Sequence, residues 1–157
     1  MASEETLRIV TDLSLEAAIT QWLAGLGIDA PIKTEIGDRT VYYADGPGMI
    51  LAAAETSERA RGYMQELFGI APNLEIAFEL NFCRDRSGPR TTIIKGTLAL
   101  MQATGADGGL WFDGNRKLVL LKHGDDLRIL DDEDLWTHPR LQLLNNLPYQ
   151  REALKAY

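Results

Sequence analysis

A strictly alternating run between positions 74 and 82 is the feature that most constrains the fold. Its apolar members are Leu74, Ile76, Phe78, Leu80 and Phe82, and they alternate with Glu75, Ala77, Glu79 and Asn81. Successive side chains of a β-strand point to opposite faces, so this pattern predicts a strand with one face on a core and the other in water. The chain must therefore build a sheet, and other segments must cover the apolar face of that sheet.

Three segments have the spacing of amphipathic helices. The first covers residues 15–26, follows the candidate N-cap Ser14, and directs Leu15, Ala18, Ile19, Trp22, Leu23 and Leu26 inward. The second follows Ser57 and has a predicted inward face of Ala60, Tyr63, Met64 and Leu67. The third runs from about Thr91 to Thr104, with Ile94, Thr97, Leu98 and Met101 inward.

The remaining ordered segments favour strands. They are residues 6–11, a hairpin of 40–43 and 49–52 with a four-residue loop, and a meander of 110–112, 118–121 and 127–130. The continuous apolar run Leu118–Leu121 predicts a strand buried on both faces. Of the adjacent Tyr42 and Tyr43, alternation places one in the core and one outside.

The resulting order, β-α-β-β-α-β-α-β-β-β, contains more hairpins than crossover units. It predicts an α+β fold with a mainly antiparallel sheet of about six to seven strands packed by about three helices. The length of 157 residues fits a single globular domain over 1–157, with an irregular C-terminal tail from about residue 137.

The composition is that of a soluble globular protein, with 45% hydrophobic and 25% charged residues. No apolar run reaches the length of a membrane-spanning helix, and the N-terminus lacks the pattern of a secretory signal. A single cysteine forms no internal disulfide, which fits a reducing compartment. We therefore expect a cytoplasmic protein that does not contact a membrane.

Local motifs do not indicate catalysis. Cys83 is expected to be an incidental, half-exposed residue at a strand end, because an active thiol also needs an oriented histidine. The run Asp131–Asp134 with His138 does not match the spacing of a metal site, and a solvated acidic face explains it better. Glycine-containing segments lack phosphate-loop spacing, and basic residues interleaved with aromatic ones are absent. We predict no catalytic, cofactor-binding or metal-binding residue and no direct contact with nucleic acid.

One segment holds most of the negative charge. The formal net charge is -7, and residues 123–134 contribute six acids and one arginine, which leaves only -2 for the rest of the chain. An acidic run next to an aromatic residue is typical of a protein-binding surface, because charge steers the encounter and the aromatic side chain anchors it. The predicted partner-binding residues are Asp125, Asp126, Asp131, Asp132, Glu133, Asp134 and Trp136. The alternative is a solubilising edge that discourages association between sheets.

Several segments resemble a known family. They are LRIVTDLSLEAAITQWLAGLG, FGIAPNLEIAFELNF, ADGGLWFDGNRKLVLLKHGDDLRI and the closing DLW at 134–136. In this order they resemble the Sit-type (swarming-inhibition toxin) immunity proteins of bacterial polymorphic toxin systems; residues 28–55 do not share the resemblance. The resemblance implies a cytoplasmic, non-catalytic protein that binds and neutralises a cognate toxin. A basic, nuclease-like effector is one candidate for that toxin, whose identity stays open.

Two alternatives from other classes remain open at this point. An acidic secretion or folding chaperone would hold a partner segment in an apolar groove, and an obligate dimer would favour it. A small-molecule binding domain would show a pocket lined by converging carboxylates with shifted pKa values. The oligomeric state is also open.

Overall fold

A computed structural model describes residues 4–80 and 85–155, and within these ranges the chain forms nine strands and four helices. The strands are β1 (Glu4–Val10), β2 (Lys33–Ile36), β3 (Thr40–Gly46), β4 (Met49–Glu55), β5 (Leu74–Leu80), β6 (Asp107–Phe112), β7 (Lys117–His123), β8 (Asp126–Leu130) and β9 (Gln150–Glu152). The helices are α1 (Leu15–Ala24), α2 (Glu58–Phe68), α3 (Ser87–Thr104) and α4 (His138–Gln142).

All nine strands belong to one sheet, in the order β2-β3-β4-β5-β1-β6-β7-β8-β9. Every neighbouring pair is antiparallel except β8 and β9, which are parallel. The predicted α+β class and mainly antiparallel sheet are confirmed. In the described ranges, β2, β9 and α4 are additional to the predicted elements.

The main core lies on one side of the sheet, called here the front face, where α1 and α3 pack. Trp22 of α1 is fully buried, and its ring centroid is 4.9 Å from that of Phe78 on β5. Its indole N–H donates a hydrogen bond to Thr97 Oγ1 of α3 at 3.4 Å. The predicted inward residues Ile94, Thr97, Leu98 and Met101 of α3 are all buried, so this prediction is confirmed.

The opposite side, the back face, carries α2 and a smaller apolar cluster. The buried members of this cluster are Met64, Ile70, Trp111, Leu118 and Leu121. Val119 and Leu120 belong to the front core instead, which confirms that β7 is buried on both faces. A register shift opposite Leu110 and Trp111 explains why Leu118 and Leu121 can share a face without strict alternation.

The inward face of α2 differs from the predicted one. Tyr63 and Leu67 are 40% and 49% exposed, whereas Ala60 and Met64 are buried and Phe68 packs on the back cluster. Met64 and Phe68 are four residues apart and therefore lie on one stripe of the helix. The prediction for Tyr63 and Leu67 was wrong because a short, mostly polar helix has too few apolar residues to fix its rotation.

The hairpin of β3 and β4 is tighter than predicted. Its strands extend to Gly46 and from Met49, so the loop contains only Pro47 and Gly48. Gly48 has φ +69°, a left-handed conformation that glycine adopts without steric cost. Tyr42 packs against the front core and Tyr43 lies on the back face, as alternation predicts.

The chain beyond residue 137 contributes α4 and the short strand β9. The Asp131 N–H donates to the Glu152 carbonyl at 2.7 Å, which continues the β8–β9 pairing past the end of β8. The predictions for Phe82 and Cys83 lie outside the described residues.

Candidate interaction surface

The six carboxylates of the acidic segment lie at the two ends of β8 rather than in one cluster. Asp125 and Asp126 are at the β7–β8 turn, whereas Asp131–Asp134 follow the last residue of β8. At ~3.3 Å per residue, the strand separates the two groups by about 16 Å. Because β9 pairs with the outer side of β8, the segment is not a free sheet edge.

Three of these carboxylates form ion pairs within the chain. The pairs are Asp126–Arg128 at 3.3 Å, Asp131–Arg151 at 3.5 Å and Asp132–Lys117 at 3.6 Å. Partly exposed pairs of this kind stabilise a protein by only ~0–1 kcal/mol each. Within the described ranges, no ion pair is formed by the exposed residues Asp125, Glu133 and Asp134.

Asp132 also holds the backbone that follows β8. Its Oδ1 accepts hydrogen bonds from the N–H groups of Asp134 at 3.0 Å and Leu135 at 3.2 Å. Its carbonyl accepts a bond from the Trp136 N–H at 2.8 Å. This side-chain turn directs the chain back to the core, so replacing Asp132 alters local structure as well as charge.

Trp136 is a core residue in this structure. Its side chain is only 2% exposed, and the indole N–H donates to the Val119 carbonyl of β7 at 3.1 Å. The interpretation of Trp136 as an exposed anchor for a partner is therefore corrected. The sequence pattern of an acidic run followed by an aromatic residue is equally consistent with a core position. In the structure, Leu135 and Trp136 both belong to the front core.

A recess of about 260 Å³ lies beside Asp125 and provides an apolar surface that the sequence did not reveal. Its apolar wall consists of Leu98, Met101, Leu127, Leu147 and Pro148. Lys122 stands at the rim, and its ammonium donates to the carbonyls of Gly105 and Ala106 and pairs with Asp107 at 3.4 Å. The recess is large enough for one large apolar side chain next to a free carboxylate.

A buried ionic cluster joins β1, α3 and the β6–β7 turn. Glu5 has no exposed surface, and Arg90 Nε lies 3.3 Å from its Oε2. Arg90 also pairs with Asp113, whose backbone N–H donates to Glu5 Oε1 at 3.3 Å. Burial raises the pKa of Glu5, and the Arg90 charge partly opposes this increase. The cluster connects β1, α3 and the β6–β7 turn, and solvent does not reach Glu5.

Arg140 forms a second buried polar junction, between α3 and α4. Its guanidinium donates to the Leu135 carbonyl at 2.7 Å, the Ser87 carbonyl at 2.9 Å and Thr91 Oγ1 at 2.9 Å. Burial lowers the pKa of Arg140, and the nearby Arg90 charge adds to this effect. Local sequence patterns carry no signal for this role, since Thr91 and Ser87 are 49 and 53 residues away from Arg140 along the chain.

Two further properties concern ligands and membranes. Among residues 4–80 and 85–155, no group of three or more His, Cys, Asp or Glu side chains is arranged to hold a metal ion. In the same part of the chain, no helix is both long and apolar enough to cross a membrane.

The fold and its surface define an α+β protein with exposed carboxylates at both ends of one strand and an apolar recess beside one of them. The chain belongs to the SitI3-like family, whose model matches residues 5–140. The resemblance to Sit-type immunity proteins is therefore confirmed, and the family name suggests an immunity protein. Searches among curated proteins and among solved structures gave no match.

Proposed function

We propose that the chain is an immunity protein that binds and neutralises a cognate bacterial toxin. The observation that carries the proposal is the family match over residues 5–140, which extends from β1 into α4. In this proposal the chain acts in the cytoplasm as a single domain, without a cofactor and without catalysing a reaction.

The free carboxylates of the acidic segment support a basic toxin as the partner. Asp125, Glu133 and Asp134 are exposed and form no ion pair among the described residues, so they are available to cations of another protein. Acidic groups accelerate the encounter with a basic surface through long-range attraction. A nuclease-like effector fits this requirement, because a protein that binds nucleic acid carries a basic groove for phosphates.

The recess beside Asp125 supplies the anchor that Trp136 does not provide. Interface energy is concentrated in a few side chains that fill well-packed pockets. In our proposal, an apolar side chain of the toxin enters the recess between Leu98 and Leu127, and a neighbouring basic residue pairs with Asp125.

The test uses a candidate toxin, such as a polypeptide encoded by a gene next to that of this chain, purified in an inactive form. We expect the wild-type chain to bind it and to protect cells that express the active toxin. The triple variant Asp125→Lys/Glu133→Lys/Asp134→Lys should bind about tenfold or more weakly and lose most of the salt dependence of binding. Calorimetry at two salt concentrations measures both effects.

The control variant Glu16→Lys/Asp29→Lys/Glu66→Lys makes the same change in net charge at exposed residues of α1, of the segment between α1 and β2, and of α2. It should retain the wild-type affinity. Failure of the wild-type chain to bind or protect would overturn the immunity function. Wild-type affinity in the triple variant would overturn only the role of the acidic segment.

A further inference from the structure

In the described part of the chain, the helix on the back face, α2, packs on the cluster of β6 and β7 and leaves the interior strands β3, β4 and β5 uncovered. The cross-strand register places Tyr43, Ala52 and Ala77 in one row across these strands. Ile50 and Val41 lie on the same face by alternation. All five side chains are only partly buried. We call this set of residues the open face.

The open face is unusually apolar for a solvated side of a sheet. An antiparallel sheet with one wet face normally alternates apolar residues inside with polar residues outside. Here the outward positions include one aromatic, two aliphatic and two alanine side chains. Two strand spacings of ~4.8 Å and five residues of ~3.4 Å give a footprint of roughly 160 Å², comparable to the area of about 150–250 Å² that one large aromatic side chain buries.

A row of acids borders the open face. Asp45, Ile50, Glu79 and Glu4 are successive cross-strand partners on β3, β4, β5 and β1. Glu79 and Glu4 are directly opposite each other, an arrangement in which like charges destabilise a sheet. Within the described ranges, no cation forms an ion pair with any of these three acids. A bound basic group would relieve this repulsion.

We propose that the open face is a second docking surface for the cognate toxin, and that it receives an apolar patch bordered by basic residues. This inference rests on the proposed function and adds a surface distinct from the acidic segment. An apolar centre with an aromatic residue and a polar border is the usual anatomy of a protein interface. A second copy of this chain is a poor occupant, because its own open face is bordered by the same acids and supplies no basic border.

The two surfaces are far enough apart to be tested separately. Five strand spacings of ~4.8 Å lie between β4 and β8, which corresponds to about 24 Å. Substitutions at this distance are normally additive in free energy when they do not share a partner group. When substitutions in both surfaces are combined, the affinity for a toxin that contacts both should therefore fall by the product of the two separate fold-changes.

The decisive variant is Asp45→Lys/Glu79→Lys, measured with the same inactive toxin polypeptide. Glu79→Lys places an ammonium opposite Glu4, so the sheet should remain folded with an unchanged or higher melting temperature. We expect affinity for the toxin to fall about tenfold or more. Tyr43→Ala should also weaken binding, because it removes the aromatic centre without changing charge.

The control Glu16→Lys/Glu66→Lys makes the same charge change on α1 and α2 and should bind like the wild type. Wild-type affinity in folded Asp45→Lys/Glu79→Lys overturns the docking surface and leaves the immunity function intact. No binding by the wild-type chain overturns the immunity function, and the docking surface with it. If sedimentation shows a wild-type dimer that the variant loses, the occupant is a second copy and the proposal is wrong.

Discussion

Glu5 is an acid that the fold removes completely from solvent, and its stability contribution should depend on pH. Burial raises its pKa, so the folded chain retains this proton to a higher pH than the unfolded chain does. The contribution is fully present below the unfolded pKa and is lost as pH rises through the raised folded pKa. Relative to Glu5→Gln, the wild-type free energy of unfolding should therefore decrease as pH rises. Urea unfolding of both proteins at a series of pH values, from below the unfolded pKa upward, measures the difference between their free energies of unfolding. A difference that does not change with pH would contradict the prediction.

Residue roles could be predicted from the sequence where local alternation determines them. The placement of Tyr42 and Tyr43 on opposite faces is predicted correctly because a strand has only two faces, but alternation alone does not indicate which of them meets the core. The role of Trp136 was not predicted correctly, because its buried position involves a hydrogen bond to the carbonyl of Val119, 17 residues earlier. Glu5 gave no signal either, since Arg90 and Asp113 are 85 and 108 residues away along the chain.

The contact between α1 and α3 depends on a glycine with no room for a side chain. A Cβ added to Gly96 would lie 2.4 Å from Trp22 Cε2, whereas one added to Gly62 of α2 meets nothing within 4 Å. Both positions are inside helices, where alanine is intrinsically favoured over glycine by about 1 kcal/mol. We expect Gly96→Ala to destabilise the protein by about 1–3 kcal/mol through overpacking. Gly62→Ala should stabilise it by about 0.4–1 kcal/mol. Urea unfolding measures both, and equal shifts would show that α1 and α3 adjust freely.

Elements with a strong local pattern could be predicted, and elements that depend on a neighbour could not. The alternating strand β5 and the helices α1 and α3 bury many apolar residues at a regular spacing. In contrast, the four residues of β2 are all exposed, and β9 has only three residues. These two strands exist because β3 and β8 provide pairing partners, which a reading of local periodicity does not detect.

At the scale of the whole molecule, the charge distribution could be predicted only where acids are consecutive in sequence. The run at 125–134 is visible as a segment, but β8 divides it into two groups. The acidic row of Glu4, Asp45 and Glu79 is dispersed over three strands, and only the sheet register brings it together. The acidic row is therefore visible only in the three-dimensional structure.

The acidic row should also affect how copies of the chain interact. The open face combines an apolar centre with acids that repel the same face of another copy, so we expect the wild-type chain to be monomeric at low salt. Glu4→Gln/Asp45→Asn/Glu79→Gln removes this repulsion and leaves the apolar centre exposed. Sedimentation velocity over a range of concentrations should then show self-association in the variant.

The matched control is Asp125→Asn/Glu133→Gln/Asp134→Asn. Both triple variants change the formal net charge from -7 to -4, so a general loss of charge repulsion would affect them equally. We expect the control to remain monomeric, because the flat apolar patch lies on β3, β4 and β5 rather than beside these three acids. Self-association of both variants would indicate that the net charge alone prevents copies of the chain from associating. If both triple variants stay monomeric at high concentration, the open face self-associates less than its apolar composition predicts. Its affinity for a toxin must then come mainly from charge.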